Sequence, residues 1–220
     1  MAEEHRGGVW TIVVGGGQGT RFGRPKQYER LGGERVIDRS RRIAEAVSEG
    51  VVVVVPADDA KREGAVAGGS TRCGSVRAGL AAVPEGADVV CVHDAARPLA
   101  STALYGRVID AVRQGAAAAV PGVPVTDTIK VVDGEVVVST PDRDTLVAVQ
   151  TPQAFRAAVL RSAHAGGVEG TDDAVLVERA GGCVVVVAGE ITNIKITSPE
   201  DLVAAERVAA LTRATTGAST

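Results

Sequence analysis

The stretch VWTIVVGGGQGTRFGRPKQ, residues 9–27, decides how the rest of the chain reads. Residues 9–14 form a short apolar run that breaks at Gly15-Gly16-Gly17. A contiguous apolar run of that length, ended by glycine, is the pattern of a strand feeding a tight βα turn. Outward from it the pattern repeats. Residues 36–47 carry Val36, Ile37, Ile43 and Val47 at helical spacing, and residues 51–55 are five consecutive valines. Such a run reads as a strand buried on both faces, as in parallel sheets. Residues 75–83 predict a helix with Val76, Leu80 and Val83 on one side. Residues 88–93 predict a third strand, 104–112 a helix, and 116–120 a fourth strand stopped by Pro121 and Gly122.

The alternation then breaks. Residues 128–132 and 135–139 are β-rich and flank Asp133-Gly134, a hairpin signal. Residues 147–149, 184–187 and 191–196 predict further strands, with helices starting at Ala154 and Thr171. Ser198 as N-cap, Pro199 at the first helical position and Asp201 three residues after the cap open a last helix. The whole predicts one α/β domain over residues 1–220. Its sheet is mostly parallel and doubly wound, with a hairpin arm projecting at about residues 125–148. Disorder is expected only in residues 1–7 and in the Thr/Ser-rich tail after Leu211.

Composition excludes several function classes. The 220 residues are 45% hydrophobic and 23% charged, with 27 glycines. A mean hydropathy of +0.14 supplies the apolar surface a core needs. No apolar run approaches the roughly 20 residues of a membrane span. No basic n-region precedes an apolar stretch, so a signal peptide is not expected and the chain reads as cytosolic. A net charge of −3 argues against capture of a nucleic acid polymer. One tryptophan, two tyrosines and two phenylalanines are too few for a base-stacking platform. A nucleobase bound here is expected to meet backbone groups and small side chains. Cys73, Cys91 and Cys183 lie far apart with no CxxC pair and read as reduced small hydrophobes.

Three loops carry candidate chemistry. The first, after residue 14, fails the dinucleotide fingerprint, because Thr20 or Phe22 stands where the third glycine belongs, and it lacks the Gly-Lys-Ser/Thr ending of a P-loop. It does join glycines that let backbone N–H groups approach an anion to three cations, Arg21, Arg24 and Lys26. A plain βα turn with solvated basic residues remains the alternative. The second loop, Gly68-Gly69-Ser70-Thr71-Arg72-Cys73-Gly74-Ser75, leads into a helix and offers donors where the dipole favours anions. By itself it reads as an N-cap loop. The third, His93-Asp94-Ala95-Ala96-Arg97-Pro98, lies at the carboxyl end of a strand, the edge where open α/β sheets bind ligands. A carboxylate beside a triphosphate points to a divalent cation, Mg²⁺, in preference to a helix N-cap, given Arg97 nearby. His93 is either a base or a packed residue, with packing favoured, and His5 and His164 read as peripheral. Lys195, in the predicted strand 191–196, either meets an anion or points to solvent from an edge. Asp172-Asp173 read as first-turn acids of a helix, in preference to a second metal site.

Taken together, the loop with Pro25-Lys26-Gln27, GGSTRCGSV, HDAARP, DTIK, QTPQAF, TDDA and NIKIT-SPEDL resembles the bacterial 2-C-methyl-D-erythritol 4-phosphate cytidylyltransferase family. The motifs run in family order from about Ile12 to Leu202. The resemblance implies a Rossmann-like nucleotidyltransferase fold with an arm exchanged across a homodimer. It implies a reaction of CTP with methylerythritol phosphate that gives a CDP-alcohol and pyrophosphate, with Mg²⁺ as cofactor. By resemblance Gly15, Gly16 and Gly17 bind cytidine and triphosphate, Arg21 and Lys26 stabilise charge, and Gly69, Ser70, Arg72 and Ser75 lie on the cytidine side. Asp94 matches the metal and substrate ligand. Arg97, Thr151 and Lys195 surround the substrate phosphate and reacting centre, Lys195 as a third catalytic cation. Thr128 and Arg143 match arm residues that reach into a partner's site.

Two features depart from the family. Its loop usually opens Ala-Ala-Gly, so Gly15-Gly16-Gly17 is expected to be looser. The segment between Val55 and Gly68 is shorter than usual, which puts a peripheral helix or strand in doubt. The alternatives are a cytidylyltransferase for ribitol 5-phosphate or another polyol phosphate, and a catalytically inactive nucleotide-binding relative. A guanylyl or sugar-phosphate nucleotidyltransferase fits less well, and an NAD-dependent oxidoreductase poorly, since its fingerprint fails.

Overall fold

The computed structural model describes residues 8–217 apart from Gln18, Thr20 and Arg21, with side chains described as far as Thr212. The expected disorder of residues 1–7 therefore lies outside the described residues, as does Arg21.

In chain order the elements begin with β1 (Val9–Val14), β2 (Arg30–Leu31), β3 (Glu34–Arg35), α1 (Val36–Glu45), β4 (Gly50–Val55), α2 (Ala57–Glu63) and β5 (Val66–Ala67). There follow α3 (Arg72–Ala82), β6 (Val89–Asp94), α4 (Thr102–Arg113), β7 (Ala118–Pro124), and the arm strands β8 (Val131–Asp133) and β9 (Val136–Ser139). The chain closes with β10 (Val147–Val149), β11 (Gln153–Arg156), α5 (Ala157–Ala165), α6 (Ala174–Arg179), β12 (Val184–Ala188) and α7 (Pro199–Gly217).

Eight strands form one sheet in the order β10-β7-β11-β6-β1-β4-β5, with β12 pairing β7 along its opposite edge. β1 runs parallel to both β4 and β6, and β12 runs parallel to β7. β1 and β6 are apolar on both faces because helices cover both faces of the sheet. α1 and α4 bury Ile37, Ala44, Leu104, Tyr105 and Val108 on one face. α3, α5 and α6 bury Val76, Leu80, Leu160 and Val177 on the other. The mostly parallel α/β sheet is as the sequence predicts.

Four local expectations are corrected. The helix expected from Ala154 starts only at Ala157, and residues 153–156 are β11, antiparallel to β6 and β7 between them. Phe155 is fully buried there, so pairing on both sides overrides the weak strand propensity of Gln-Ala-Phe-Arg. Pro121 and Gly122 do not stop β7. The Pro121 carbonyl accepts the Gln150 N–H at 2.7 Å, and a Cβ on Gly122 would sit 2.8 Å from Val186 and 3.0 Å from Val147. Gly122 is thus a close-approach residue inside the strand. Residues 191–196 are not a strand. The chain turns after Gly189, Ile191 is 88% exposed, and Asn193 N–H returns to the Glu190 carbonyl at 3.0 Å. The last helix starts as expected, with the Asp201 carboxylate accepting the Ser198 N–H at 2.8 Å, but it runs through the tail to Gly217.

The short 56–67 segment still holds a seven-residue helix, α2, and a two-residue strand, β5. The arm forms as its turn predicts, with Gly134 at φ 58°, and every residue of β8 and β9 is exposed. Cys73 and Cys91 are buried thiols as expected, whereas Cys183 is exposed.

Candidate active site

The parallel strands converge at their carboxyl ends on a cleft of about 710 Å³. β1 delivers Gly15, Gly16 and Gly17, and the turn after it delivers Lys26; β6 ends at Asp94. Opposite them stand Gly69, Ser70, Arg72 and Ser75 at the start of α3, and Lys195 from the loop before α7 closes the rim. No aromatic ring lines the cleft among the described residues.

None of Gly15, Gly16 and Gly17 has a positive φ, so the loop is not held open by backbone strain. What these glycines give is proximity: a Cβ on Gly16 would lie 3.2 Å from Ser75 Oγ across the cleft. The requirement for glycine is stricter at two neighbours. Gly19 sits at φ +66°, and a Cβ there would come within 2.0 Å of the Arg24 carbonyl; one on Gly69 would lie 2.8 Å from the Gly74 carbonyl carbon. α3 is capped by Thr71, whose Oγ1 accepts the Gly74 N–H at 2.9 Å, and this fixes the helix end that faces the cleft.

Asp94 is the electrostatic centre. Its Oδ2 accepts from Lys195 Nζ at 2.6 Å, and its Oδ1 lies 3.3 Å from Arg72 Nη2. Burial alone would push this carboxyl up, but the Arg72 and Lys195 cations outweigh it and hold it well below the usual carboxylate range. Asp94 is therefore ionised at neutral pH. Arg72 in turn spans two carboxylates, donating also to Asp173 Oδ2 at 2.6 Å. Burial would lower its pKa, yet Asp173 and Asp94 raise it further above its ordinary value.

His93 does not serve as a base. Burial pushes it down to about 4, so the ring is neutral at pH 7. The Thr151 hydroxyl already accepts the Asp94 N–H at 3.0 Å, so its proton goes to His93 Nδ1 at 3.1 Å. Nε2–H then donates to the Arg97 carbonyl at 3.1 Å, and both ring nitrogens are used. His93 and Thr151 thus aim Asp94 from behind the cleft wall.

The sequence-derived residues divide accordingly. The structure brings Gly15, Gly16, Gly17, Lys26, Gly69, Ser70, Arg72, Ser75, Asp94 and Lys195 to one cleft. Arg97 and Thr151 stand behind it, Arg97 bonding the Asn193 carbonyl at 2.8 Å. Thr128 and Arg143 lie on the exposed arm and do not line the chain's own cleft. Lys195, predicted in a strand, sits instead in an irregular loop. That loop is pinned by Asn193 Nδ2 to the Thr151 carbonyl at 2.9 Å and by Ile196 N–H to the Ala96 carbonyl at 2.8 Å.

The helix predicted from Thr171 starts only at Ala174, so Asp172 and Asp173 precede its first turn, where Asp172 Oδ1 still accepts the Val175 N–H at 3.0 Å. Asp173 stands at the N-cap position, yet its side chain makes no cap bond. That side chain is fully buried and bonds Arg72 on one side and His164 Nε2, at 3.0 Å, on the other. His164, expected to be peripheral, is only 3% exposed. Removing one partner of a buried ion pair strands the other charge. Asp173→Ala is therefore expected to destabilise the fold by about 3–5 kcal/mol, read as a lower urea midpoint at unchanged m-value.

Among the described residues no group of three or more His, Cys, Asp or Glu side chains converges as a metal cage. Asp94 alone offers a hard, ionised oxygen beside the cation-lined floor, and Asp58 stands on the cleft wall. That donor set suits Mg²⁺, which takes one or two carboxylates and completes its shell with phosphates and water.

Comparison with known proteins identifies the family. The family model described as 2-C-methyl-D-erythritol 4-phosphate cytidylyltransferase matches residues 9–211. A protein of that name from Rubrobacter xylanophilus is 46% identical, over 92% of this chain and 95% of its own length. The crystal structure of 2-C-methyl-D-erythritol 4-phosphate cytidylyltransferase from Thermus thermophilus superposes with a TM-score of 0.77 at 37% identity, covering 90% of this chain and 97% of that one. The 4-diphosphocytidyl-2C-methyl-D-erythritol synthase of Anaerococcus prevotii gives a TM-score of 0.79 at 29% identity, covering 90% and 96%. With an α/β sheet, a two-sided glycine cleft and a matched family model over nearly its whole length, the chain belongs to the 2-C-methyl-D-erythritol 4-phosphate cytidylyltransferase family.

Proposed function

We infer that the protein transfers the cytidylyl group of CTP to 2-C-methyl-D-erythritol 4-phosphate and releases pyrophosphate, a step towards isoprenoid precursors. The observation that carries the reading is the placement of Lys26 and Lys195 in one cleft with ionised Asp94, in a chain of this family. A phosphate oxygen of the polyol phosphate attacks the α-phosphorus of CTP in line. The new P–O bond forms as the α–β bridging bond breaks, and pyrophosphate leaves with the electron pair. Phosphate monoesters have a second pKa near 6, so the nucleophile is already an anion at neutral pH and needs no general base. The protein's part is then positioning and charge neutralisation. Lys26 and Lys195 supply cations from fixed backbone positions, with Arg21 assigned the same task by its family match. Asp94 holds Lys195 and Arg72 in place, and Gly15–Gly17 with Gly69, Ser70 and Ser75 leave room for backbone and hydroxyl donors to reach the nucleotide. Mg²⁺, held by Asp94 and the nucleotide's phosphates, would supply further neutralisation of the triphosphate.

A homodimer with exchanged arms is part of the same reading. Val132, Val136 and Val138 of the arm are 57%, 69% and 63% exposed, an apolar surface that a second copy would cover. Thr128 and Arg143 would then complete the partner's cleft, and sedimentation equilibrium showing a monomer would remove them from it. No helix among the described residues is long and apolar enough to cross a membrane, and we place the enzyme in the cytoplasm, where CTP is available.

Pyrophosphate release from CTP against a panel of polyol phosphates tests the function. Turnover with methylerythritol phosphate supports it, preference for ribitol 5-phosphate replaces the substrate, and no turnover with any acceptor leaves a nucleotide-binding relative.

A further inference from the structure

Gln27 is absorbed neither by the nucleotide loop nor by the core. It is only 3% exposed, yet it lines the cleft beside Lys26, and among the described residues its Nε2 has no hydrogen-bond partner. A buried amide donor without an acceptor is costly to keep, and most are satisfied in native proteins.

The turn leaves this side chain little freedom to escape. The N–H groups after it are used, Tyr28 N–H to the Pro25 carbonyl at 3.2 Å and Glu29 N–H to the Lys26 carbonyl at 3.1 Å. Tyr28 itself is clamped. Its hydroxyl donates to Asp59 Oδ2 at 2.7 Å, and its ring lies 5.2 Å from the Arg62 guanidinium and 5.7 Å from that of Arg35. A carboxamide held between Lys26 and a clamped tyrosine, in a residue that lines the cleft and with a buried donor that meets no acceptor, is complementary to an acceptor that arrives with the ligand. In the nucleotide the strongest acceptors are phosphate oxygens, and the adjacent Lys26 ammonium favours the same groups.

We propose that Gln27 is a further nucleotide-binding residue, whose Nε2 donates to an oxygen of the triphosphate chain. The proposal rests on the cytidylyltransferase reading, and it accounts for the orphaned donor as a bond left open for the ligand.

The test is calorimetric binding of CTP, of pyrophosphate and of cytidine, each with Mg²⁺, to the full-length wild type, Gln27→Met and Gln27→Glu. Methionine keeps about the same length without a donor; glutamate keeps the shape and adds a negative charge. The expected result is roughly tenfold weaker binding of both CTP and pyrophosphate by Gln27→Met, with cytidine unchanged. The unliganded Tm of Gln27→Met should equal or exceed that of the wild type, because an unsatisfied buried donor is gone. Gln27→Glu should lose more than Gln27→Met, since its carboxylate repels the phosphates. Unchanged CTP and pyrophosphate affinity in both variants overturns the proposal. So does a loss that appears with cytidine but not pyrophosphate, or one that accompanies a lowered unliganded Tm in Gln27→Met. A wild type that binds no CTP would refute the cytidylyltransferase reading itself; one that binds CTP as tightly as both variants refutes only the role of Gln27.

Discussion

Lys26→Ala is expected to lower kcat by about 10²–10³-fold while changing CTP affinity far less. The expectation follows from where charge moves in the reaction. In the ground state the triphosphate is spread over many donors, so one lost cation is partly compensated. As the α–β bond breaks, negative charge accumulates on the leaving pyrophosphate, and a cation already fixed in place acts there without reorganisation. Lys26 sits in the short Lys26–Tyr28 turn, which the Tyr28–Asp59 bond ties to α2, so its backbone position is set before the nucleotide arrives. Steady-state kinetics with calorimetric CTP binding separates the two effects. A variant that binds CTP much more weakly but turns over normally at saturation would remove Lys26 from the chemistry.

Asp94→Ala is expected to damage both stability and activity. The wild-type carboxylate is shared by Lys195 at 2.6 Å and Arg72 at 3.3 Å, and its side chain is only 12% exposed. Its removal leaves two cations close together with only Asp173 to balance Arg72. A loss of about 3–5 kcal/mol in unfolding free energy is expected, since breaking a buried pair by deleting one partner strands the other charge. The activity loss should exceed that of Lys26→Ala, because Arg72 and Lys195 lose their common anchor and the carboxylate we assign to Mg²⁺ is gone. Urea titration and kcat/KM, measured on samples shown to be folded by circular dichroism, read the two effects separately. Wild-type activity in a folded Asp94→Ala enzyme would mean that the anchor is dispensable.

The fold was legible in the sequence where burial writes itself as composition. The valine run of β4 and the apolar run of β6 declare strands covered on both faces. The arm turn is declared by Asp133-Gly134, because glycine suits the positive φ it adopts there. β11 was not legible, since Gln153–Arg156 becomes a strand only through pairing with β6 and β7, both distant in sequence.

The site divides along the same line. Loops that follow strands advertise themselves with glycine and charge, which singles out Gly15–Gly17, Asp94 and Lys26, whereas Gly69 is named only through the family resemblance. Asp173 could not be separated from its neighbour Asp172, because the Arg72 it bonds lies 101 residues away. The pair His93–Thr151, which fixes the orientation of Asp94, depends likewise on a contact across 58 residues. Lys195 was found for its charge but misplaced in a strand, since Ile191, Ile194 and Ile196 suggest a β-run while Asn193 pins the segment as a loop.

The most direct measurement is phosphorus-31 NMR of the wild-type enzyme with CTP, Mg²⁺ and 2-C-methyl-D-erythritol 4-phosphate. The expected spectrum shows the paired resonances of a new CDP-alcohol diphosphate growing in equal amount with free pyrophosphate, at the expense of both substrates. Unchanged CTP, or its hydrolysis to CMP and pyrophosphate with the polyol phosphate untouched, would contradict the account.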